Sequence, residues 1–171
     1  MAGGFLVLSQ LRVDTPYWFF VAGFALFGLG MGLAGTPSTT AITASLPIAK
    51  QGVASAVNDT ARELGSAVGI AILGSILNQT YRDGMADVVT ALPAAYQDRA
   101  LSSVAFTSAP QLQQLGAQGR LLIDAAFRAF TDGVGTTMLT AAVLLVVAAG
   151  VVWVVAPTQR DATADAPAIP R

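Results

Sequence analysis

VASAVNDTARELGSAVGIAILGSIL, residues 53–77, is a run of small and apolar residues interrupted by one arginine and two carboxylates. The charged residues are Asp59, Arg62 and Glu63. A charged group at membrane depth costs at least about 2.5 kcal/mol even on lenient insertion scales, so such residues usually face a partner helix or a water-filled cavity. The stretch therefore predicts a membrane helix with a polar face, which is typical of transport proteins.

The composition of the whole chain is that of a membrane protein. Of its 171 residues, 54% are hydrophobic and 11% are charged, whereas soluble domains carry about 25% charged residues. The chain contains no cysteine and no histidine, which excludes disulfides, thiolate metal sites, Ser-His triads and imidazole proton relays. Its net charge of −1 offers no basic surface for nucleic acid. We expect an all-α membrane protein with no metal, no cofactor and no nucleic-acid partner.

Three segments reach the roughly 20 apolar residues that are needed to cross the hydrocarbon core of a bilayer. The first, residues 17–46, begins with an aromatic pair typical of membrane interfaces and contains Pro37, which predicts a bend because its ring removes a backbone donor. The second, residues 53–78, follows a turn at 47–52 that is short enough to make the two helices antiparallel neighbours. The third, residues 134–156, has no charged residue, which favours a lipid-facing or peripheral position.

The segments outside these spans are polar or short. Residues 79–133 form a long polar segment that cannot lie in lipid, and within it residues 120–130 have the spacing of an amphipathic helix leading into the last span. The tail, residues 157–171, is rich in Ala, Asp and Pro and is predicted to be disordered. Residues 1–13 lack the basic start and cleavage site of a signal peptide. We interpret them as the truncated end of a preceding membrane helix, in a chain that is part of a larger protein.

Small residues predict where helices approach each other closely, since helix association in lipid depends on backbone contact. Gly28 and Gly32 form a GxxxG motif in the first span. Gly65 and Gly69 form a second motif in the next span, with Gly74 beyond it. Two such motifs on consecutive antiparallel helices predict a packed helix pair.

Two interpretations of the charged cluster are compatible with the sequence. Asp59 and Arg62 are one turn apart and can pair, whereas Glu63 points to another side of the helix. In the functional interpretation, Arg62 lines a cavity or an inner gate and exchanges carboxylate partners during transport. In the structural interpretation, the cluster lies just inside the headgroups and only fixes the helix. Asn58 and Thr40 have the same two alternatives, interhelical hydrogen bonding being the commoner role.

These residues carry a family resemblance. The run GLGMGLAGTPSTTAITASLPIAKQGVASAVNDTARELGSAVGIAILGSILNQTYRDG is similar to the penultimate helix pair of the major facilitator superfamily, in its fourteen-helix drug:proton antiporter branch. The run AFRAFTDG, residues 126–133, is similar to the entry to the last helix of that branch. The resemblance extends over residues 17–156. The matching positions of the first run are Pro37, Pro47, Gly52, Ser55, Ala56, Asn58, Arg62, Gly65, Gly69 and Gly74.

The resemblance implies a multidrug or small-molecule efflux antiporter of the cell membrane, in which this chain supplies helices twelve to fourteen of a major facilitator fold. It implies hydrophobic, often cationic substrates and exchange with protons, and it implies that the proton-coupling motifs lie outside this chain. The expected partners are the lipid bilayer and the remaining helices of the transporter. The family arrangement places residues 47–52 and the tail in the cytoplasm and residues 79–133 outside the cell, and the positive charges do not discriminate between the two orientations.

Two other classes of protein are alternatives to a transporter. An enzyme would need a base for a nucleophile such as Ser45, Ser55 or Ser66, and the chain has no histidine and no visible partner for Lys50. The alternative is a small stand-alone helical membrane protein with an assembly or regulatory role. An in-frame coding continuation upstream of Met1 would decide against that alternative.

Overall fold

Helices make up the regular structure of the computed structural model, which describes residues 1–44, 47–108, 112 and 116–155. The elements are α1 (Ala2–Leu8), α2 (Tyr17–Ala44), α3 (Gln51–Met85), α4 (Ala94–Ser102) and α5 (Ala117–Val155), with 3₁₀ turns at Ile48–Lys50, Val88–Ala91 and Val104–Ser108. The helices α2, α3 and α5 are long and apolar enough to cross a membrane. The predicted all-α membrane class with three membrane helices is confirmed.

The helices extend beyond the apolar spans of the sequence. Helix α3 continues past residue 78 to Met85, and α5 begins at Ala117, inside the segment predicted as a polar loop. The helices continue because buried apolar residues continue at helical spacing. These residues are Tyr81, Met85, Leu122, Ala126 and Ala129. The last two residues of the predicted first span and the predicted tail, residues 157–171, lie outside the described residues.

Helix α2 continues through Pro37, whose ring removes one backbone donor from the helix. The hydroxyl of Ser38 donates to the carbonyl of Ala34 at 2.7 Å, and that of Thr39 donates to the carbonyl of Gly35 at 3.1 Å. Hydroxyl groups that bond one turn back are a common means by which membrane helices accommodate proline.

Helix α5 is the element against which α1 and α3 pack, and α1 also packs on α2. Leu77 of α3 lies at Gly133, and Gly84 lies at Ala129, so α3 and α5 run antiparallel. The packing is confined to the N-terminal part of α5, since its large apolar residues from Val143 onward are mostly exposed. The last part of the third predicted span is thus accessible to lipid, whereas its first part packs against α1 and α3.

The adjoining ends of α3 and α5 and the described residues between them fold into a small cap, by which we mean residues 81–108, 112 and 116–130. Its buried core consists of Tyr81, Met85, Val89, Leu92, Ala100, Leu112, Leu122, Ala126 and Ala129. Further apolar residues of α4, the 3₁₀ turns and α5 pack partly buried around this core. The segment that was predicted as polar, with an amphipathic helix at residues 120–130, therefore has a hydrophobic core built on the ends of two long helices.

Candidate functional site

The charged cluster lies in the first half of α3, after the 3₁₀ turn that follows Pro47. Asp59, Arg62 and Glu63 are exposed, and Asn58 is half-buried. The sequence correctly predicted that these residues share one helix. Their surroundings could not be predicted, because exposure depends on which other segments pack on α3.

The carboxylates and the guanidinium of this cluster do not pair with one another. In the part of the chain that the structure describes, no ion pair within 4.0 Å joins Arg62 to Asp59 or Glu63. Charged groups at membrane depth normally have a partner or contact water. Both the gating and the structural interpretation of Arg62 therefore require groups or water beyond these residues.

The polar face of α3 also carries the predicted packing glycines. Asn58, Arg62, Gly65 and Gly69 share this face because they are spaced by four, three and four residues. Among the described residues, no heavy atom of another segment lies within 4 Å of a Cβ built at Gly65, Gly69 or Gly74. The face is therefore open at its three glycines and partly covered at Asn58.

The packed pair of GxxxG motifs predicted from the sequence is not formed. A Cβ built at Gly28 or Gly32 also meets no atom within 4 Å, so the glycines of α2 and α3 do not contact each other. The physical reason is that α3 packs chiefly on α5 and leaves its glycine face uncovered. A packing role for these glycines toward other helices stays a prediction, as does a transport role for Thr40, which is exposed on α2.

Close backbone approach occurs instead at glycines of α5 that lie outside the two GxxxG motifs. A Cβ built at Gly133 would lie 2.9 Å from Leu77 Cδ1 of α3, and one built at Gly135 would lie 2.8 Å from the carbonyl oxygen of Ser9. Positions i and i+2 of a helix are about 200° apart around its axis, so Gly133 and Gly135 face opposite sides of α5. Helix α5 is therefore held between α1 and α3, with one glycine for each neighbour. The DGVG spacing at 132–135 is the signal that could have indicated this arrangement.

The cap is fastened by polar contacts as well as by its apolar core. The hydroxyl of Tyr81, a residue that is 4% exposed, donates to the carbonyl of Ala100 at 2.9 Å. The side-chain amide of Gln97 donates to the carbonyl of Leu92 at 2.9 Å. These bonds join the end of α3 to α4 and fix the start of α4 in place.

A polar cavity of about 630 Å³ lies where the connection between α1 and α2 meets α5. Its charged lining consists of Arg12, Asp14, Arg128 and Asp132. These two positive and two negative side chains give the lining a formal charge of zero. Among the described residues, no group of three potential ligating side chains is placed to hold a metal ion.

Comparison with known proteins shows several similar transport and resistance proteins. The chain is 38% identical over 154 residues to the multidrug efflux pump LfrA of Mycolicibacterium smegmatis, which covers 90% of the chain and 30% of the pump. It is 29% identical over 161 residues to the methyl viologen resistance protein SmvA of Salmonella typhimurium, covering 91% of the chain and 32% of that protein. A shorter match of 56 residues, 41% identical, is to the quinolone resistance protein NorB of Staphylococcus aureus and covers 33% of the chain and 12% of that protein.

The chain spans about 30% of the length of LfrA, and its match includes most of the described helices. No protein-family model matches the sequence. No solved structure matches it either. LfrA is an efflux pump and thus a transporter rather than an enzyme.

Proposed function

The chain is homologous to the drug efflux pumps of the major facilitator superfamily, and from this premise we propose that it supplies the last three membrane helices of a proton-coupled multidrug antiporter. The observation that carries the proposal is the similarity over nine tenths of the chain, which includes the charged face of α3. In such a transporter two helical halves rock about a central site, so three helices alone do not enclose a substrate cavity.

The proposed orientation follows the family arrangement. The turn at residues 47–52 lies in the cytoplasm, and the cap lies outside the cell. The charged cluster of α3 is then in the cytoplasmic half of the helix, where it faces the remaining helices of the transporter or a water-filled cavity. The open glycine face gives those helices room to approach the backbone of α3.

The proposed substrates are hydrophobic organic compounds, among them cations. Two relatives support this class through the compounds in their names, methyl viologen for SmvA and quinolones for NorB. Methyl viologen is a dication, and quinolones are aromatic and amphipathic. Within the three predicted membrane spans, Asp59 and Glu63 are the carboxylates, which makes them candidates for contact with a positively charged substrate.

The proposal can be tested by exchanging segments between this chain and LfrA. The matched 30% of LfrA is replaced by this chain, and export of a fluorescent organic cation is measured in cells that lack their own pumps. We expect the chimera to export the cation at a rate comparable to LfrA, because the chain supplies the same helices. The control is this chain alone, which should export nothing.

Export is compared at equal amounts of chimera and LfrA in the membrane. A chimera that reaches the membrane in normal amount but exports nothing would contradict the proposed role. Export by the chain alone would contradict the proposed division of the transporter. A chimera made with SmvA and tested with methyl viologen repeats the comparison on an independent scaffold.

A further inference from the structure

Helix α3 is packed at one end and open at the other. We call residues 77–85 its cap end and residues 51–74 its turn end. At the cap end, Tyr81 and Met85 are buried in the core of the cap. At the turn end, Ala54 is the one buried residue of the helix.

The cap end of α3 is joined to α5 by backbone contact and by the cap core. A Cβ built at Gly84 would lie 2.9 Å from the Cβ of Ala129, and one built at Gly133 would lie 3.2 Å from the carbonyl oxygen of Leu77. These contacts lie on successive levels of the same antiparallel crossing. Between these two contacts along α3, the hydroxyl of Tyr81 forms a buried hydrogen bond to the carbonyl of Ala100 in α4.

In the described part of the chain, the glycines at the turn end of α3 make no backbone contact comparable to those of the cap end. Leu64, Val68 and Ile70 are between 57% and 72% exposed. The two glycines of the motif on this end meet no atom within 4 Å of a built Cβ. Regions with few buried contacts open and rearrange more readily than packed regions do.

From this contrast we infer that the cap holds the cap ends of α3 and α5 together as one rigid unit. The turn end of α3, in contrast, changes its position relative to α5. Packed cores resist continuous deformation, so movement of α3 is concentrated in its unpacked part. The charged cluster lies on that part and moves with it. The inference concerns the mechanics of this chain and does not depend on which compound is transported.

The inference can be tested by measuring distances between spin labels on the full chain in lipid nanodiscs. The chain has no cysteine, so labelling sites can be introduced without removing any. One pair joins positions 82 and 128 at the cap end, and the other joins positions 64 and 147 further along the antiparallel pair. All four positions are exposed. We expect the distance distribution of the second pair to be about twofold broader than that of the first.

The cap is then weakened in a matched pair of variants. Leu122→Ala removes a core side chain that is 5% exposed, and Leu121→Ala removes its neighbour, which is 69% exposed. We expect Leu122→Ala to broaden the 82–128 distribution about twofold and Leu121→Ala to leave it unchanged. Where Leu122→Ala does not insert into the membrane, Leu92→Ala takes its place, because Leu92 is 4% exposed in the same core, and Leu121→Ala remains the control.

Three results would overturn the inference. The first is an equally narrow distribution for both pairs in the unchanged chain, which would mean that α3 and α5 move together throughout. The second is a broad 82–128 distribution in the unchanged chain. The third is an 82–128 distribution that does not respond to weakening of the cap core, or that responds equally to the exposed control.

Discussion

The two ends of α3 differ in what covers them, although both contain glycines with helical spacing. At the cap end, Gly84 meets Ala129 of α5 at close range. At the turn end, Gly65 and Gly69 meet nothing within 4 Å. A glycine at helical spacing therefore does not by itself show whether another helix packs against it. The partner helix decides this, and a partner can belong to the same chain or to another part of a transporter.

Gly133→Leu should have the largest effect on stability, because it disrupts the close packing of α5 against the cap end of α3. A Cβ at this position would lie 2.9 Å from Leu77 Cδ1 and 3.2 Å from its backbone oxygen, so a larger side chain must separate α3 from α5. We expect the free energy of unfolding of the chain in detergent micelles to fall by about 3 kcal/mol.

Gly150→Leu is the matched control on the same helix. A Cβ built at Gly150 meets no atom within 4 Å, so we expect little change in unfolding free energy. Equal losses for the two variants would show that the contact between Gly133 and Leu77 does not hold the helices together.

The fold was predictable where the signal is local. Runs of apolar residues of sufficient length identify α2, α3 and α5, because the cost of exposing backbone polar groups to lipid leaves few alternatives to a helix. The cap was missed because its core is assembled from residues far apart in sequence. Ala100, for example, follows Gln97, Asp98 and Arg99 directly, and its neighbours in the sequence do not indicate that it is buried.

The positions of the charged residues on α3 could be predicted from the sequence, but the groups that surround them could not. The presence of Asp59 and Arg62 on a membrane helix followed from their spacing within an apolar stretch. The absence of an ion pair between them within the described residues depends on side-chain placement, which spacing alone does not determine. In the same way, spacing identified the GxxxG motifs but could not show that α3 packs on α5 through Gly84 instead.

Gly65→Leu should have the next largest effect, and only in an assembled transporter. In the chain alone the position is open, so we expect the unfolding free energy to change by no more than about 0.5 kcal/mol. In the LfrA chimera, an added side chain on the face that approaches other helices should reduce export about tenfold. We expect Gly69→Leu to behave in the same way.

Val146→Leu is the control for this prediction, since Val146 is 58% exposed on the last part of α5. Export and membrane level are recorded separately for each variant. If both glycine variants keep full export while Val146→Leu abolishes it, the face that packs in the transporter belongs to α5 and not to α3.

Arg62→Ala tests the charged part of the open face and should have a smaller effect. Because no ion pair joins Arg62 to Asp59 or Glu63 in the chain, we expect its unfolding in micelles to be unchanged. In the chimera we expect export to fall about fivefold, which corresponds to the roughly 1 kcal/mol of a polar contact between membrane helices.

Arg62→Lys separates the two interpretations of the cluster. Lysine keeps the charge and reaches the headgroups equally well, but it lacks the planar donor arrangement that pairs with carboxylates on two oxygens. Export that stays normal in Arg62→Lys would support the structural interpretation. Export that falls at unchanged membrane level would support exchange of carboxylate partners.

Tyr81→Phe should have the smallest effect and tests how much one polar contact contributes to the cap end of α3. The change keeps the aromatic ring in the core of the cap and removes only the hydroxyl that donates to the carbonyl of Ala100 at 2.9 Å. A buried hydrogen bond contributes about 0.5–1 kcal/mol net, so the unfolding free energy should fall by that amount. Tyr17→Phe, at a position that is 81% exposed, should cause no loss. A loss in Tyr81→Phe no larger than that in Tyr17→Phe would mean that the cap is held by its apolar core alone, and the bond to α4 would then have no part in fixing α3 to α5.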